Sequence, residues 1–340
     1  MTPKNNLNNL ILEIKDLKKI YTNPASKKQT EALTGIDLEV QAGDFYALLG
    51  KNGAGKSTAI SLITSLIKKT SGLIKINGFD LEKNPIEAKK NIGVVPQEFN
   101  FNPFEKVENI LINQALYYGM NLKLAKDRAE ILLKEMDLYA KRKNSARQLS
   151  GGMKRRMMIA RALMHEPKIL ILDEPTAGVD IEIRQAMWKF LKKINQEDQI
   201  TIILTTHYLE EAENLCNKIA VLDQGRIIKN TYMADFLKEL EFETVLIELS
   251  DSLDVVREAA LTQSIQPIQP IQLKNFPVRY ISNNLLEIDL LKNQNLEDLI
   301  FELKAEIKSK LINTNIYRVR NKSNRLEQLL MNLTRESNLK

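Results

Sequence analysis

Cysteine and histidine are nearly absent from this 340-residue sequence, which has one cysteine, Cys216, and two histidines, His165 and His207. A lone cysteine forms no internal disulfide, and these three residues are too few for the Cys/His sites that hold structural zinc. We therefore expect a protein of a reducing compartment whose stability comes from packing rather than from cross-links.

Long apolar segments are also missing. The longest apolar runs, such as residues 169–172 and 200–204, are far shorter than the ~18 to 20 residues that span a bilayer. Residues 1–10 contain one lysine, four asparagines and no apolar block, so they do not resemble a secretory signal peptide. We predict that the chain has no membrane-spanning segment and stays inside the cell.

The formal net charge is +6, from 49 basic and 43 acidic residues. Residues 231–340 hold 14 basic and 16 acidic residues, so the basic surplus lies entirely in residues 1–230. Such a surplus suits nucleic acid, an anionic membrane surface or a polyphosphate ligand, and it is equally typical of a solvated surface. Charge alone does not select among these.

The composition, 44% hydrophobic and 27% charged residues, is that of an ordinary globular protein, and the length predicts about two domains. The first predicted domain spans residues 10–240. There, short segments rich in valine and isoleucine alternate with segments of helical periodicity, which is the pattern of an α/β protein with a parallel sheet. Strands are predicted at residues 36–40, 45–49, 72–76, 92–95, 169–172, 200–205, 219–223 and 227–229.

The strand pattern disappears between residues 101 and 166, where helices are predicted at 107–118, 124–136 and 151–164. We interpret residues 98–165, approximately, as a helical insert in the first domain.

The second predicted domain spans residues 241–340 and is a small α+β unit. Its predicted strands are 244–249, 285–290 and 316–320, and its predicted helices are 254–262, 296–309 and 326–333. The Ile-Gln-Pro stretch at residues 265–272, in which Ile-Gln occurs three times and is twice followed by proline, is predicted to be an extended connector, because proline donates no hydrogen bond to a sheet.

A glycine-rich segment directly follows the predicted strand 45–49 and precedes a predicted helix at 58–67. It matches the phosphate-loop pattern in the strand–loop–helix setting that this pattern requires. In such a loop, backbone N–H groups face the phosphates, the lysine neutralises the β and γ oxygens, and the serine hydroxyl binds Mg²⁺. The segment predicts a nucleoside triphosphate site, with a plain glycine turn as the alternative. The residues assigned to this site are Gly50, Lys51, Asn52, Gly53, Ala54, Gly55, Lys56, Ser57 and Thr58.

Two adjacent carboxylates, Asp173 and Glu174, end an apolar predicted strand and precede Pro175. Ligands of open α/β sheets bind at the carboxyl ends of the strands. We assign Mg²⁺ binding to Asp173 and activation of the attacking water to Glu174, with a bend at the strand end to separate their roles. Alone, the pair is equally well explained as a solvated strand terminus; beside a phosphate loop, it favours a catalytic site.

Ser150 precedes Gly151, Gly152 and Met153 at the start of the predicted helix 151–164. Serine is a favoured N-cap residue, and the free N–H groups at a helix N-terminus attract anions. The segment predicts a second anion site, although a serine cap beside a glycine turn explains the same residues.

The order of these three motifs resembles that of ABC-type ATPases, and the resemblance covers roughly residues 10–230. It implies a P-loop NTPase fold, the ABC cassette, in which a mostly parallel sheet is accompanied by an antiparallel β-subdomain and a helical insert, followed here by a small C-terminal α+β accessory domain. Residues 43–49, 94–104 and 205–213 are similar to ATP-binding subunits of ABC-2-type export systems of the bacterial YadG type.

The resemblance assigns further residues. Gln97 matches the glutamine that senses Mg²⁺ and the attacking water, and His207 matches the histidine that contacts the γ-phosphate. Asp180 matches an aspartate that crosses between subunits, and Tyr21 matches the aromatic residue that stacks on adenine. Met153 stands where many cassettes have glutamine.

The resemblance also implies a function: an ATP-hydrolysing subunit that uses ATP and Mg²⁺, forms a head-to-tail homodimer and drives export through a separate polytopic ABC-2-type permease. Such a subunit lies on the cytoplasmic face of the inner membrane and binds no nucleic acid. The alternatives are a soluble ABC ATPase acting on ribosomes or DNA, and the ATPase of an importer.

Four further side chains have less specific interpretations. Phe99, Phe101 and Phe104 follow Gln97 closely and form either an apolar socket for a partner helix or part of the core of the insert. His165 matches no motif and is predicted to cap the C-terminus of a helix.

Overall fold

The computed structural model describes residues 9–239, 242–250, 271–282, 284–291, 293–309, 314–322, 326–327, 329–330 and 333. It divides into two compact units, of which the first runs to Met233 and the second spans Ala234–Arg335. No described helix combines the length and the apolar composition that a membrane span needs.

The first unit is built from two sheets and the helices around them. Its strands are β1 (Leu10–Thr22), β2 (Gln29–Gln41), β3 (Phe45–Leu49), β4 (Ser71–Ile76), β5 (Phe79–Asp80), β6 (Ile92–Val95), β7 (Ile169–Asp173), β8 (Thr201–Thr205), β9 (Lys218–Asp223) and β10 (Arg226–Tyr232). Its helices are α1 (Lys56–Ile63), α2 (Pro85–Lys90), α3 (Val107–Tyr117), α4 (Leu122–Glu135), α5 (Gly151–Leu163), α6 (Ile181–Gln196) and α7 (Leu209–Leu215). A short helix, α8 (Met233–Leu237), follows β10.

The larger sheet has six strands in the order β10-β9-β3-β8-β7-β6. Its neighbours from β9 to β6 are parallel, and β10 alone pairs antiparallel, with β9. The smaller sheet is antiparallel, in the order β2-β1-β4-β5. The fold class predicted from the sequence is confirmed. Because β3, β7 and β8 are parallel neighbours, the loops at their carboxyl ends meet at one edge of the sheet.

One hydrophobic core joins the two sheets through α1. Its buried members include Leu12 and Ile36 of the smaller sheet, Ile60 of α1, and Leu48 and Ile171 of the larger sheet. The helix that carries the end of the phosphate loop is therefore fixed on both sides by apolar packing.

The first strand is missing from the sequence prediction, and β2 begins at Gln29 rather than at residue 36. Charged residues interrupt β1, and Asp16 adopts a left-handed φ of 43° at a shift in the register with β2. The bulge breaks the apolar/polar alternation that identifies a strand from sequence.

Two helices begin two residues earlier in the structure than the sequence predicts. The helix α1 begins at Lys56 and ends at Ile63, not at 58 and 67, because Ser65 takes a left-handed φ of 58°. The helix α4 begins at Leu122 rather than 124, where the Asn121 side chain accepts a hydrogen bond from Leu124 N. The insert otherwise consists of the three predicted helices, α3, α4 and α5.

The second unit is a four-stranded antiparallel sheet with a helix on one face. Its strands are β11 (Phe242–Leu249), β12 (Val278–Ser282), β13 (Leu285–Leu291) and β14 (Ile316–Asn321), in the order β12-β13-β11-β14. The helix α9 (Leu296–Ser309) packs Leu299, Leu303 and Ile307 against alternate residues of β11, such as Val245 and Ile247.

Four of the elements predicted for the second unit are present in the structure, as β11, β13, β14 and α9, whereas β12 was not predicted. The predicted helix 254–262 and residues 265–270 of the Ile-Gln-Pro stretch lie outside the described residues, and the predicted helix 326–333 lies only partly within them.

Candidate functional site

A cavity of about 750 Å³ opens where β3 and β7 end. Ten of its eleven lining residues are site residues predicted from the sequence, and the eleventh is Ala32 of β2. The lining consists of Ala32, Asn52, Gly53, Gly55, Lys56, Ser57, Thr58, Gln97, Asp173, Glu174 and His207.

The phosphate loop leaves β3 at Gly50, which has a φ of 152°. A Cβ atom at this position would lie 2.2 Å from the carbonyl oxygen of Leu222, so only glycine fits between the loop and β9. The loop ends at Gly55, the N-cap of α1, with a left-handed φ of 108°. These two glycines bend the backbone so that the N-terminus of α1 opens into the cavity.

Lys56 folds its side chain back over the loop. Its Nζ donates hydrogen bonds to the carbonyl oxygens of Gly50, at 2.6 Å, and Lys51, at 3.1 Å. Burial lowers the pKa of Lys56, and the negative charges of Glu174 and Asp173 oppose that shift. An ammonium group held between loop carbonyls and two carboxylates is suited to receive the oxygens of a phosphate.

Asp173 and Glu174 have different surroundings because the chain bends between them. Asp173 ends β7 and accepts a hydrogen bond from the Thr205 hydroxyl. Glu174 takes a left-handed φ of 48° and donates its backbone N–H to Thr205 O at 3.0 Å. The bend was predicted at the strand end, and it lies at Glu174 itself.

The Glu174 carboxylate bridges two side chains from distant parts of the chain. Its Oε2 accepts a hydrogen bond from Gln97 Nε2 at 2.8 Å, and its Oε1 lies 3.2 Å from His207 Nδ1. The carboxylate is about one fifth exposed, so it faces the cavity while both oxygens are held. A carboxylate so oriented is suited to accept a proton from a water molecule in the cavity.

Arg155 is a positioning residue that the sequence analysis missed. It lies on α5, is 4% exposed, and donates hydrogen bonds to Pro96 O at 2.8 Å and Gln97 O at 2.9 Å. A second arginine of the same helix, Arg161, binds Asn100. The only sequence signal was an arginine on the buried face of a helix, which is rare unless the guanidinium is paired.

Several predicted residues do not line the cavity. Ser150 caps α5, its Oγ accepting a hydrogen bond from Met153 N at 3.3 Å, and Gly151 is exposed beside it. Gly152 packs against Ile183, so that a Cβ there would lie 3.0 Å from that side chain. Gly50, Lys51 and Ala54 belong to the loop but are not part of the lining.

Asp180 and Tyr21 also lie outside the lining. Asp180 is the exposed N-cap of α6, although its side chain makes no capping hydrogen bond. Tyr21 lies near the end of β1, is 43% exposed, and has Lys19 Nζ 4.8 Å from its ring centroid.

His165 does not cap a helix, contrary to the prediction. Its Nε2 lies 2.9 Å from the carbonyl oxygen of Ile92, and its ring stacks on Tyr118 with centroids 3.8 Å apart. Burial lowers the pKa of His165 below its ordinary value of 6.5. The side chain therefore connects the end of α3 with the start of β6.

The aromatic residues after Gln97 are largely exposed. Phe104 is 71% and Phe99 46% exposed, while Phe101 is half-buried with its ring 5.9 Å from that of Phe99. Two of the three side chains therefore lie on the surface of the insert rather than in its core.

The cavity offers oxygen donors of the kind that Mg²⁺ prefers: the Ser57 hydroxyl, the Gln97 amide and the Asp173 carboxylate. Among the described residues there is no group of three or more histidines, cysteines and carboxylates that would hold a metal by itself. This donor set fits an ion that is shared with substrate phosphates, since Mg²⁺ is usually bound by one or two carboxylates together with phosphate oxygens.

Known proteins are similar to this chain in sequence. Residues 33–177 match the family model described as ABC transporter. The linearmycin resistance ATP-binding protein LnrL of Bacillus subtilis is 34% identical over 95% of this chain and 98% of its own length. A Nod factor export ATP-binding protein I of Cupriavidus metallidurans is 38% identical over 64% of this chain and 70% of its own length.

Solved structures show the same fold. A dimeric ATP-binding cassette in a post-hydrolysis state with ADP and Pi superposes with a TM-score of 0.60 at 27% identity, covering 65% of this chain and 98% of that one. The ATP-binding subunit of an ABC transporter gives a TM-score of 0.59 at 30% identity, covering 67% and 92%. Phosphate loop, paired carboxylates and cassette fold thus agree with the relatives: the chain belongs to the ABC transporter family and is one of its ATP-binding, ATP-hydrolysing subunits.

Proposed function

We propose that this subunit hydrolyses Mg²⁺-bound ATP at two sites of a head-to-tail homodimer and thereby drives export through a separate polytopic ABC-2-type permease. In this function it lies on the cytoplasmic face of the inner membrane and binds no nucleic acid. The observation that carries the proposal is the Glu174 carboxylate, held between Gln97 and His207 and facing the phosphate loop.

In the proposed reaction, Lys56 and the backbone of the phosphate loop bind the phosphates. Ser57, Asp173 and the Gln97 amide would hold Mg²⁺, which would supply neutralising charge to the phosphates. Glu174 accepts the proton of the attacking water, and His207 contacts the γ-phosphate. Gln97 orients Glu174. Because Arg155 of the insert binds the backbone at Gln97, a movement of Gln97 also moves the insert.

The position of Ser150 supports the head-to-tail dimer. Ser150 and the two glycines after it begin a helix whose N–H groups favour an anion, yet none of the three lines the cavity of their own chain. A second copy related by twofold symmetry brings each such helix to the phosphate site of the other chain, and one isologous interface then contains two sites. The dimeric cassette solved with ADP and Pi has a similar fold.

The names of the relatives support export as the direction of transport. One is named for resistance to linearmycin and others for export of Nod factor. The exposed Phe99 and Phe104 provide an apolar surface directly after Gln97, and large exposed apolar side chains mark interaction sites. We assign this surface to the permease.

The proposal is tested by recovering partners from detergent-solubilised membranes with a tagged Glu174→Gln chain in the presence of ATP. Lys56→Ala, which lacks the phosphate-binding ammonium group, is the matched control. Recovery of a polytopic permease with the Glu174→Gln chain, reduced with the control, supports the proposal. Recovery of ribosomes or DNA without a membrane protein supports the soluble alternative, and recovery of a permease together with an external binding protein supports the importer.

A further inference from the structure

A fully buried acid, Glu211, lies behind the catalytic cavity. It is 0% exposed, belongs to α7 and accepts a hydrogen bond at its Oε1 from Trp188 Nε1 at 3.0 Å. Thr176, 0% exposed, and Thr206, 4% exposed, also act on its carboxyl group. These four residues are here named the Glu211 cluster, and no motif in the sequence assigns a role to them.

The Glu211 cluster joins two loops that serve the cavity. Thr176 lies two residues after Glu174, in the loop that leads to Asp180 and α6, and Trp188 lies on α6 itself. Thr206 directly precedes His207, and its Oγ1 accepts a hydrogen bond from Tyr208 N at 3.0 Å. The buried carboxyl group is therefore the point where both loops and the helix α6 meet.

A second contact links the same elements closer to the surface. The guanidinium of Arg184, on α6, lies 4.5 Å from the ring of Tyr208, whose centroid is 4.2 Å from that of His207. Arg184 also donates a hydrogen bond to Val179 O at 3.4 Å. The segment before α6 and the residues around His207 thus contact the same face of α6.

The surroundings of Glu211 disfavour its ionised form. Burial raises the pKa of Glu211 above its ordinary value, and its polar neighbours and the charge of Arg184 oppose that shift. Its Oε2 and the Thr176 hydroxyl are both buried, and neither has a hydrogen-bond partner within the described part of the chain. A neutral side chain at this position avoids the free-energy cost of burying a charge and still accepts the hydrogen bond that Trp188 donates.

We propose that Glu211 is a positioning residue for ATP hydrolysis, whose buried carboxyl group couples the loop from Glu174 to Asp180 with the loop that carries His207. This proposal rests on the proposed function, because it assigns His207 and Asp180 to the ATP site. It adds that the two loops move as one unit when ATP binds, since both are fixed to one side chain and to Trp188.

Trp188 is the only tryptophan of the chain, so its fluorescence reports on the Glu211 cluster alone. We compare the full-length parent with Glu211→Gln, which keeps a neutral amide able to donate and accept hydrogen bonds, and with Glu211→Leu, which keeps the approximate size but not the polar groups. Glu210→Leu, the same change at an exposed neighbour, is the matched control. The readouts are ATP affinity measured with a labelled nucleotide, kcat for ATP hydrolysis and the change in Trp188 emission on ATP addition.

ATP should change the emission of Trp188 in the parent, in Glu211→Gln and in Glu210→Leu, with kcat preserved within about threefold in the two variants. Glu211→Leu should lower kcat by roughly tenfold or more, keep ATP affinity within about threefold and abolish the emission change. Trp188→Phe, which removes the hydrogen-bond donor and keeps an aromatic ring of smaller size, tests the same coupling and should also lower kcat at unchanged affinity.

Parental kcat in both Glu211→Leu and Trp188→Phe would overturn the proposal. A kcat in Glu211→Gln as low as that in Glu211→Leu would contradict the claim that a neutral, hydrogen-bonding side chain suffices at this position. These readouts need only the purified chain and ATP, so they can fail while the permease is still recovered, and they can succeed when it is not.

Discussion

Gln97 and Glu174 are 77 positions apart in the sequence, and their side chains are joined by a hydrogen bond of 2.8 Å. The backbone of Gln97 is in turn held by Arg155, which lies five residues after Ser150 on the same helix. The acid that faces the cavity is therefore connected, by two hydrogen-bonded steps, to the helix α5, which in the proposed dimer faces the nucleotide of the other chain. If the proposed dimer forms, this connection links the ATP site to the dimer interface and to the insert.

Replacing Glu174 with glutamine removes the proton acceptor. The new side chain is nearly isosteric, so it still fits between Gln97 and His207. We expect ATP binding to persist and hydrolysis to fall by roughly 10² to 10⁴-fold, which is the usual contribution of a general base. Phosphate release measures the rate, and size-exclusion chromatography with ATP should show a persistent dimer. A variant that hydrolyses ATP at the parental rate would exclude Glu174 as the base.

Arg155→Lys keeps a positive charge but loses the two-pronged contact to Pro96 O and Gln97 O. Lysine does not reproduce a forked guanidinium, so we expect kcat to fall by about tenfold, with little change in ATP affinity. The control is Arg156→Lys, the same change at a neighbour whose guanidinium binds Met136 O instead. Equal kcat values in the two variants would contradict the role given to Arg155.

Phe104→Asp tests the surface assigned to the permease. The side chain is 71% exposed, so the change should leave the free energy of unfolding within about 0.5 kcal/mol of the parent, while recovery of the permease falls. Leu66→Asp, at a residue that is 74% exposed, is the control for adding a charge at an exposed apolar position. Loss of the permease in both variants, or in neither, would argue against this surface.

We predict that the contact of His165 with β6 and with Tyr118 makes the free energy of unfolding depend on pH. Its pKa is held below 6.5 in the folded chain, so below about pH 6.5 the unfolded chain binds a proton that the folded chain does not, and stability falls as the pH falls. His165→Phe keeps an aromatic ring beside Tyr118 and removes the titration. Urea unfolding between pH 7.5 and 5.5 should show a weaker pH dependence in the variant, by up to about 1.4 kcal/mol per pH unit. An equal pH dependence of the free energy of unfolding in the parent and in His165→Phe would contradict this prediction.

The motif residues were predictable because their chemistry leaves a local pattern. A phosphate loop needs glycine at positions such as Gly50, where no Cβ fits, followed by lysine at the helix start, and these requirements fall within eight consecutive residues. The fold class was predictable because parallel strands buried on both faces read as continuous apolar runs.

The residues that position the site were not predictable in the same way. Ala32 lines the cavity, and Arg155 and Glu211 contact residues that are tens of positions away in the sequence, yet each resembles an ordinary strand or helix residue locally. The strand β1 was missed for a related reason, because its bulge at Asp16 disrupts the alternation that only pairing with β2 and β4 explains. Tertiary contacts decide these positions, and a single sequence does not display them.

The claim that each ATP site is shared between two chains is tested most directly by mixing two inactive variants. Lys56→Ala disables the phosphate loop. Gly151→Asp places a negative charge at the exposed start of α5, where a Cβ meets nothing within 4 Å, so we expect the fold to tolerate the change. Each variant alone should hydrolyse ATP poorly.

In an equal mixture, half of the dimers contain one copy of each variant, and each of these has one intact site, built from the phosphate loop of the Gly151→Asp chain and the helix α5 of the Lys56→Ala chain. The account predicts that the mixture recovers about a quarter of the parental ATPase rate, as expected for an isologous interface. A mixture no more active than its two components would show that both motifs act within one chain, and would contradict the head-to-tail dimer.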